Sequence, residues 1–245
     1  MRGALSTGCV LVLLGVVAAC GREATSGASA PQSAAAVPGS LTSPVPESVP
    51  SPTASSVNGR GPLVVFLGDS LTAGYGLSQD QGFPARVAEL LRDAGHPIRI
   101  LDAGVSGDTS AGGLSRVDWL LRQRPAVVVI GLGANDGLRG LEPDETASNL
   151  RAIIARVRAA GARVLLLGMK LPPNYGVEYT ARFEAIYPEL ARETGVPCVP
   201  FLLEGVAGDP SLNLDDGIHP SAQGQLRVAR NVLPWLAPLV RDSTP

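Results

Sequence analysis

From Pro62 onward, short apolar runs alternate with segments whose apolar residues recur at helical spacing. That alternation is the strongest constraint on what this chain can fold into. "LVVFL" at 63–67 is apolar throughout, as a strand covered on both faces must be. Val87, Leu90, Leu91 and Ala94 mark a helix that Gly95 and Pro97 end, and "IRIL" at 98–101 supplies a second strand. Leu114, Val117, Leu120 and Leu121 predict a second helix before the strand "AVVVIGL" at 126–132. Leu150, Ile153, Ile154 and Val157 predict a long third helix, closed by Gly161 and followed by "RVLLLG" at 163–168. Phe183, Ile186, Tyr187 and Leu190 mark a fourth helix ending near Gly195 and Pro197, and "CVPF" at 198–201 is a short fifth strand. Leu226, Val228, Ala229, Val232 and Leu236 suggest a final helix. Strand-helix alternation implies parallel strands joined by right-handed crossovers. The expected class is therefore α/β, with one domain over 62–242 and five mostly parallel strands.

The residues before Pro62 have a different character. Met1-Arg2 is followed by an apolar run from Gly3 to Val17, too short for a comfortable membrane span, and then by "VVAAC" at 16–20. Residues 1–19 read as an export signal whose end resembles a bacterial lipobox, which would place lipid on Cys20. The alternative is an ordinary signal peptide cut near Ala19, leaving Cys20 as a free thiol. Residues 20–61 are dominated by Ser, Ala, Pro, Gly, Thr and Val and cannot bury enough surface to offset their ordering entropy. As a tether of about forty residues they would span about 35 Å root-mean-square. The expected location is the bacterial cell envelope, with the protein held to a membrane through Cys20.

Composition removes other classes. A net charge of −2 with no basic cluster gives no reason to expect nucleic acid. Two histidines and no cysteine pair give no zinc pattern, so no metal is expected. "GLGAND" at 131–136 begins like a dinucleotide fingerprint, but Asp136 stands where the third glycine belongs. Cys198 has no partner for a disulfide and reads as a small core residue. Nothing in the sequence bears on oligomeric state.

In open parallel sheets, ligands sit beyond the carboxyl ends of the strands. The segments there are Gly68-Asp69-Ser70, "GVSGDTSAGG" at 104–113, "GLGANDGLRG" at 131–140, "MKLPPNYG" at 169–176 and "DDGIHPSAQG" at 215–224. All are rich in small and polar residues. Ser70 as a nucleophile needs a base, and the chain offers only His96 and His219. His96 falls in a turn entering the second strand, at the opposite end of the sheet. His219 falls in a strand-end loop, where Pro220 restricts its backbone to an extended form. Asp216, three residues earlier with Gly217 between, can fold back onto the imidazole, and Asp215 is the less favourable alternative. Oxyanion donors could come from the Asn135 amide and the backbone N–H groups of Ser70 and Gly107.

With those residues in view, the sequence resembles the SGNH hydrolases, also called GDSL-type esterases and lipases. Four blocks occur in the family's order: "GDSL" with Ser70, "SGDTSAGG" with Gly107, "GAND" with Asn135, and "DGIH" with Asp216 and His219. The similarity covers Leu63 to Leu239 and is strongest toward the arylesterase, lysophospholipase and thioesterase I subgroup, which "LPPNYG" also matches. The resemblance implies a single flavodoxin-like three-layer α/β/α domain and no cofactor. It implies Ser70 as nucleophile, His219 as base, Asp216 as its orienter, and an oxyanion hole from Ser70, Gly107 and Asn135. Thr72 stands where the G-x-S-x-G elbow of α/β-hydrolases needs glycine, which separates the chain from that group. The expected reaction is hydrolysis of carboxylic esters, thioesters or lysophospholipids through an acyl-enzyme. Leu71, Leu138, Leu171, Pro172 and Tyr175 are expected to line the acyl site, and "GLRG" at 137–140 to form either a mobile lid or a rigid turn. Two other readings share these residues, a deacetylase of envelope polysaccharide and a binding module without turnover. A p-nitrophenyl ester assay separates the module, and an acetylated glycan the deacetylase. The lipobox and tether depart from the subgroup's soluble exported members.

Overall fold

The computed structural model describes residues 61–241. The signal, Cys20 and residues 21–60 of the tether lie outside the described residues.

Five strands form one sheet: β1 (Leu63–Gly68), β2 (Arg99–Gly104), β3 (Val127–Gly131), β4 (Arg163–Leu167) and β5 (Cys198–Val199). Their order is β2-β1-β3-β4-β5, and every neighbouring pair is parallel, so the sheet goes beyond the mostly parallel expectation. This is the flavodoxin-like doubly wound order. Val64 to Leu67 and Val127 to Ile130 are fully buried, because helices cover both faces and leave β1 and β3 no solvent side. The helices are α1 (Ser70–Ala73), α2 (Phe83–Asp93), α3 (Ser110–Leu121), α4 (Ala134–Leu138), α5 (Pro143–Ala159), α6 (Val177–Thr194) and α7 (Ala222–Arg241). Helix α2 packs on α7, while α3 packs on α5 and α5 on α6.

Two short helices, α1 and α4, have no counterpart in the sequence pattern. Four or five residues are too few to show a period. "CVPF" shrinks to a two-residue strand because the chain leaves the register after Val199, where the Gly168 carbonyl accepts from the Leu202 N–H. Pro188, Pro234 and Pro238 lie inside α6 and α7, all on the exposed side. There the carbonyl each proline leaves without a donor can turn to water, which keeps the helices continuous.

In flavodoxin-like order, the side to which the crossovers carry the chain reverses between β1 and β3, and that switch point opens a crevice at the strands' carboxyl ends. Ser70 follows β1 and Asn135 opens α4 just beyond β3, so both stand at that crevice.

Candidate active site

The turn after β1 is held from several sides. The Asp69 carboxylate accepts from the Leu71 N–H at 3.0 Å and caps α1, whose far end closes on Gly74 with φ +67°. A Cβ on Gly68 would meet the Thr72 hydroxyl at 2.0 Å, so only glycine lets α1 fold back over β1. Buried Gln225 of α7 accepts from the Phe83 N–H and donates to the Leu71 carbonyl, locking the turn to a distant helix.

His219 and Asp216 lie in the loop between β5 and α7. The His219 Nε2 sits 2.8 Å from Ser70 Oγ, and its Nδ1 sits 2.7 Å from Asp216 Oδ2. Those partners assign the imidazole N–H to Nδ1 and leave Nε2 to accept the serine proton. Asp216 Oδ1 accepts from the Ile218 and His219 N–H groups, both at 2.9 Å. These bonds, with the imidazole, hold its carboxyl down at about 2. Gly217 at φ +69° makes the reversal that lets residue 216 reach back to residue 219. His219 lies against the tilted ring of Tyr75, with centroids 4.4 Å apart. His96 stands between α2 and β2, at the other end of the sheet.

The other expected donors lie in the segments that follow β2 and β3. Asn135 Nδ2 donates to the Asp108 carbonyl at 3.0 Å and, at a longer 3.4 Å, to Asp69 Oδ2. Gly107 adopts φ +79°, and Arg139 donates to its carbonyl at 2.7 Å. One guanidinium, Arg116, bonds Asp108, the Ala103 carbonyl and the Gly68 carbonyl, tying the ends of β1 and β2 to the glycine loop. Buried Asp136 accepts from the Ser110 N–H, the Ser110 hydroxyl and the Thr146 hydroxyl, fixing α4 against α3 and α5. Burial pushes the Asp69 carboxyl up to about 7, only partly opposed by the Leu71 N–H and His219. Cys198 is half-buried, and burial raises its thiol to about 11, which leaves little thiolate near neutrality.

A cavity of about 860 Å³ opens on Ser70, Asn135, Gly107 and His219. Leu71, Leu138, Leu171 and Pro172 line it, whereas Tyr175 does not. The Tyr175 hydroxyl donates to the Leu138 carbonyl at 3.0 Å, so it braces α4 from outside the cavity. Gly137 and Leu138 belong to α4, and a Cβ on Gly137 would meet Leu171 and Phe183 at 2.6 and 2.8 Å. The first half of "GLRG" is thus the packed end of α4, and the Arg139 guanidinium ties the residue after it to the glycine loop. Sequence reasoning missed Tyr75, Arg116, Gln225 and the lining residues Phe201, Leu203 and Ile218. Arg116 and Gln225 sit on helix faces where their types are ordinary. Only the glycines flanking Tyr75 hinted at a special position.

A strand-end serine in contact with a histidine, itself held by an aspartate at the switch point of a doubly wound sheet, defines a serine hydrolase of α/β/α architecture. The chain belongs to the GDSL-like lipase/acylhydrolase family, whose model matches residues 66–227. It is 46% identical over 178 residues to Esterase TesA of Pseudomonas aeruginosa, covering 72% of this chain and 89% of that protein. It is 45% identical over 183 residues to Thioesterase 1/protease 1/lysophospholipase L1 of Escherichia coli strain K12, covering 74% and 86%. The crystal structure of TesA superimposes with a TM-score of 0.70 at 46% identity, covering 72% of this chain and 99% of that one.

Proposed function

We propose that this serine ester hydrolase works by acyl transfer on Ser70, with His219 as general base, Asp216 as its orienter and a hole formed by Ser70, Gly107 and Asn135. The observation that carries the reading is the unbroken line from Ser70 Oγ to His219 Nε2 to Asp216, with both bonds under 3 Å. As Ser70 Oγ attacks the ester carbonyl, its proton passes to His219 Nε2, and Asp216 stabilises the imidazolium through Nδ1–H. The oxyanion takes the Ser70 and Gly107 N–H groups and one proton of the Asn135 amide. The long 3.4 Å bond from Asn135 to Asp69 is the one it displaces. Collapse expels the alcohol or thiol, which takes its proton from His219. Water, deprotonated by the same imidazole, then frees the acid and restores the serine.

Substrates of this reading are aryl esters, lysophospholipids and acyl thioesters, because the cavity that opens on Ser70 is walled largely by leucine, methionine and phenylalanine side chains. "VVAAC" before a low-complexity stretch supports export and a lipid anchor on Cys20 in the bacterial envelope. A fluorophosphonate probe on the full chain tests the chemistry. Labelling is expected on Ser70 alone, and labelling that survives Ser70→Ala would overturn the assignment. Mass spectrometry of the membrane fraction tests the anchor, and an unmodified Cys20 or a chain cut elsewhere would refute it.

A further inference from the structure

The cavity has charged groups that the acyl-transfer chemistry does not use. Lys170, the sole lysine of the chain, lines it just beyond β4, with its ammonium 5.3 Å from the centroid of the Phe201 ring. Glu184 of α6 lines the same cavity and is half-buried. Among the described residues neither takes part in an ion pair, with each other or with any other group. The other lining carboxylate, Asp69, is already bonded to Leu71 and Asn135. One exposed cation and one half-buried anion thus line a single, largely apolar chamber without pairing with each other.

Their place in the sheet matters. Lys170 leaves β4 and Phe201 leaves β5, two and three strands across from β1 in the order β1-β3-β4-β5. At about 4.8 Å per strand, they stand about 10–15 Å to one side of the Ser70 strand. A glycerol backbone and a phosphodiester put a comparable length between a lysophospholipid's ester carbonyl and its terminal ammonium. Lysine is a compact, strongly hydrated point charge suited to a phosphate, and the Phe201 face holds that charge at the wall. A carboxylate nearby would repel a purely anionic headgroup but attract an ammonium.

We infer that Lys170 and Glu184 select, among single-chain esters, those whose headgroup carries both a phosphate and an ammonium. Lys170 takes the phosphate and Glu184 the ammonium. The inference rests on the esterase reading above and names specificity residues for the same site.

The test compares three lauroyl esters with full-length protein, each below its micelle concentration: lysophosphatidylcholine, lysophosphatidylglycerol and monoacylglycerol. Wild type is expected to favour the zwitterion over the neutral glyceride by about tenfold in kcat/KM. Lys170→Met should cut the preference for both phosphate-bearing esters at least fivefold, mainly through KM, while Lys170→Arg keeps most of it. Glu184→Gln should lower the zwitterion relative to the anionic ester by about fivefold. Melting temperatures near wild type show that the variants fold. Ratios unchanged by either variant, or no wild-type preference for the zwitterion, overturn the inference. Hydrolysis of p-nitrophenyl butyrate alone sinks the headgroup inference and leaves the esterase standing. Hydrolysis of no ester sinks both.

Discussion

The two halves of the candidate active site are built by opposite physics. The serine half, with Asp69, Ser70 and Asn135, grows out of buried β1 and β3, and Asp69 is only 1% exposed. The histidine half is a surface turn in which the Asp216 side chain is 36% exposed. Both halves contain an aspartate, yet their carboxyls move in opposite directions. Burial lifts Asp69 to about 7, whereas hydrogen bonds from two N–H groups and the imidazole draw Asp216 to about 2. A carboxylate made to hold a histidine must stay ionised, and a wet turn rich in donors achieves that. A carboxylate that shapes a buried turn tolerates being half neutral.

The sharpest break of the comparison is to delete one proposed reacting group from each half. Ser70→Ala and His219→Gln should each lower kcat by about 10⁴–10⁶, with the double variant no worse than either single one. Additive losses would show that the two halves do not act as one unit. His96→Gln, at the far end of the sheet, should leave both kcat and the pH profile in place.

A smaller loss should come from the buried half alone. Asn135→Ala is expected to cost about 10²–10³ in kcat, about 3–4 kcal/mol, with KM little changed. If Asn135 serves only to brace the turn, melting temperature falls while kcat of the folded fraction survives. Measuring kcat, KM and melting temperature on one sample separates the two.

Gln225→Ala tests how far the serine half depends on its scaffold. It strands the Phe83 N–H and the Leu71 carbonyl in the interior, so stability should drop by about 1–3 kcal/mol in urea unfolding. An unchanged urea midpoint would show that Gln225 does not lock the turn.

The smallest effects sharpen the contrast between the aspartates. Asp69 has a raised folded pKa, so its contribution to stability is complete below about pH 4 and is lost as pH rises through about 7. Asp69→Asn should therefore gain on wild type steadily between those limits, read as a difference in melting temperature. Asp102, raised to about 6 by burial, slopes both proteins alike and cancels in that difference. Asp216 has a lowered pKa, so its contribution is present above about pH 4 and fades as pH falls toward 2. Exposure keeps it small. The gap between wild type and Asp216→Asn should close as pH falls below 4. Slopes of the same sign for both variants would refute the contrast.

The alternation of apolar runs was enough to give an α/β class with five strands, because burial on both faces writes itself as unbroken Val, Ile and Leu. Five segments rich in small and polar residues mark the strand ends, and Ser70, Asn135, Asp216 and His219 stand out in them because few residue types suit the proposed chemistry. Asp216 over Asp215 was already the better choice from spacing, and the turn at Gly217 shows why. Contacts made at long range left no such trace. Arg116 joins two strand ends and a loop, Gln225 crosses 154 positions to reach Leu71, and Tyr175 turns away from the cavity to bond Leu138. Lys170 and Glu184 lie fourteen residues apart on different elements, and only the packing of α6 beside β4 and β5 brings them to one chamber. Local sequence determines which segments are strands, helices and turns, because each signal lies within a few residues. Which side chains then meet depends on strand order and helix docking, and only the tertiary structure decides that.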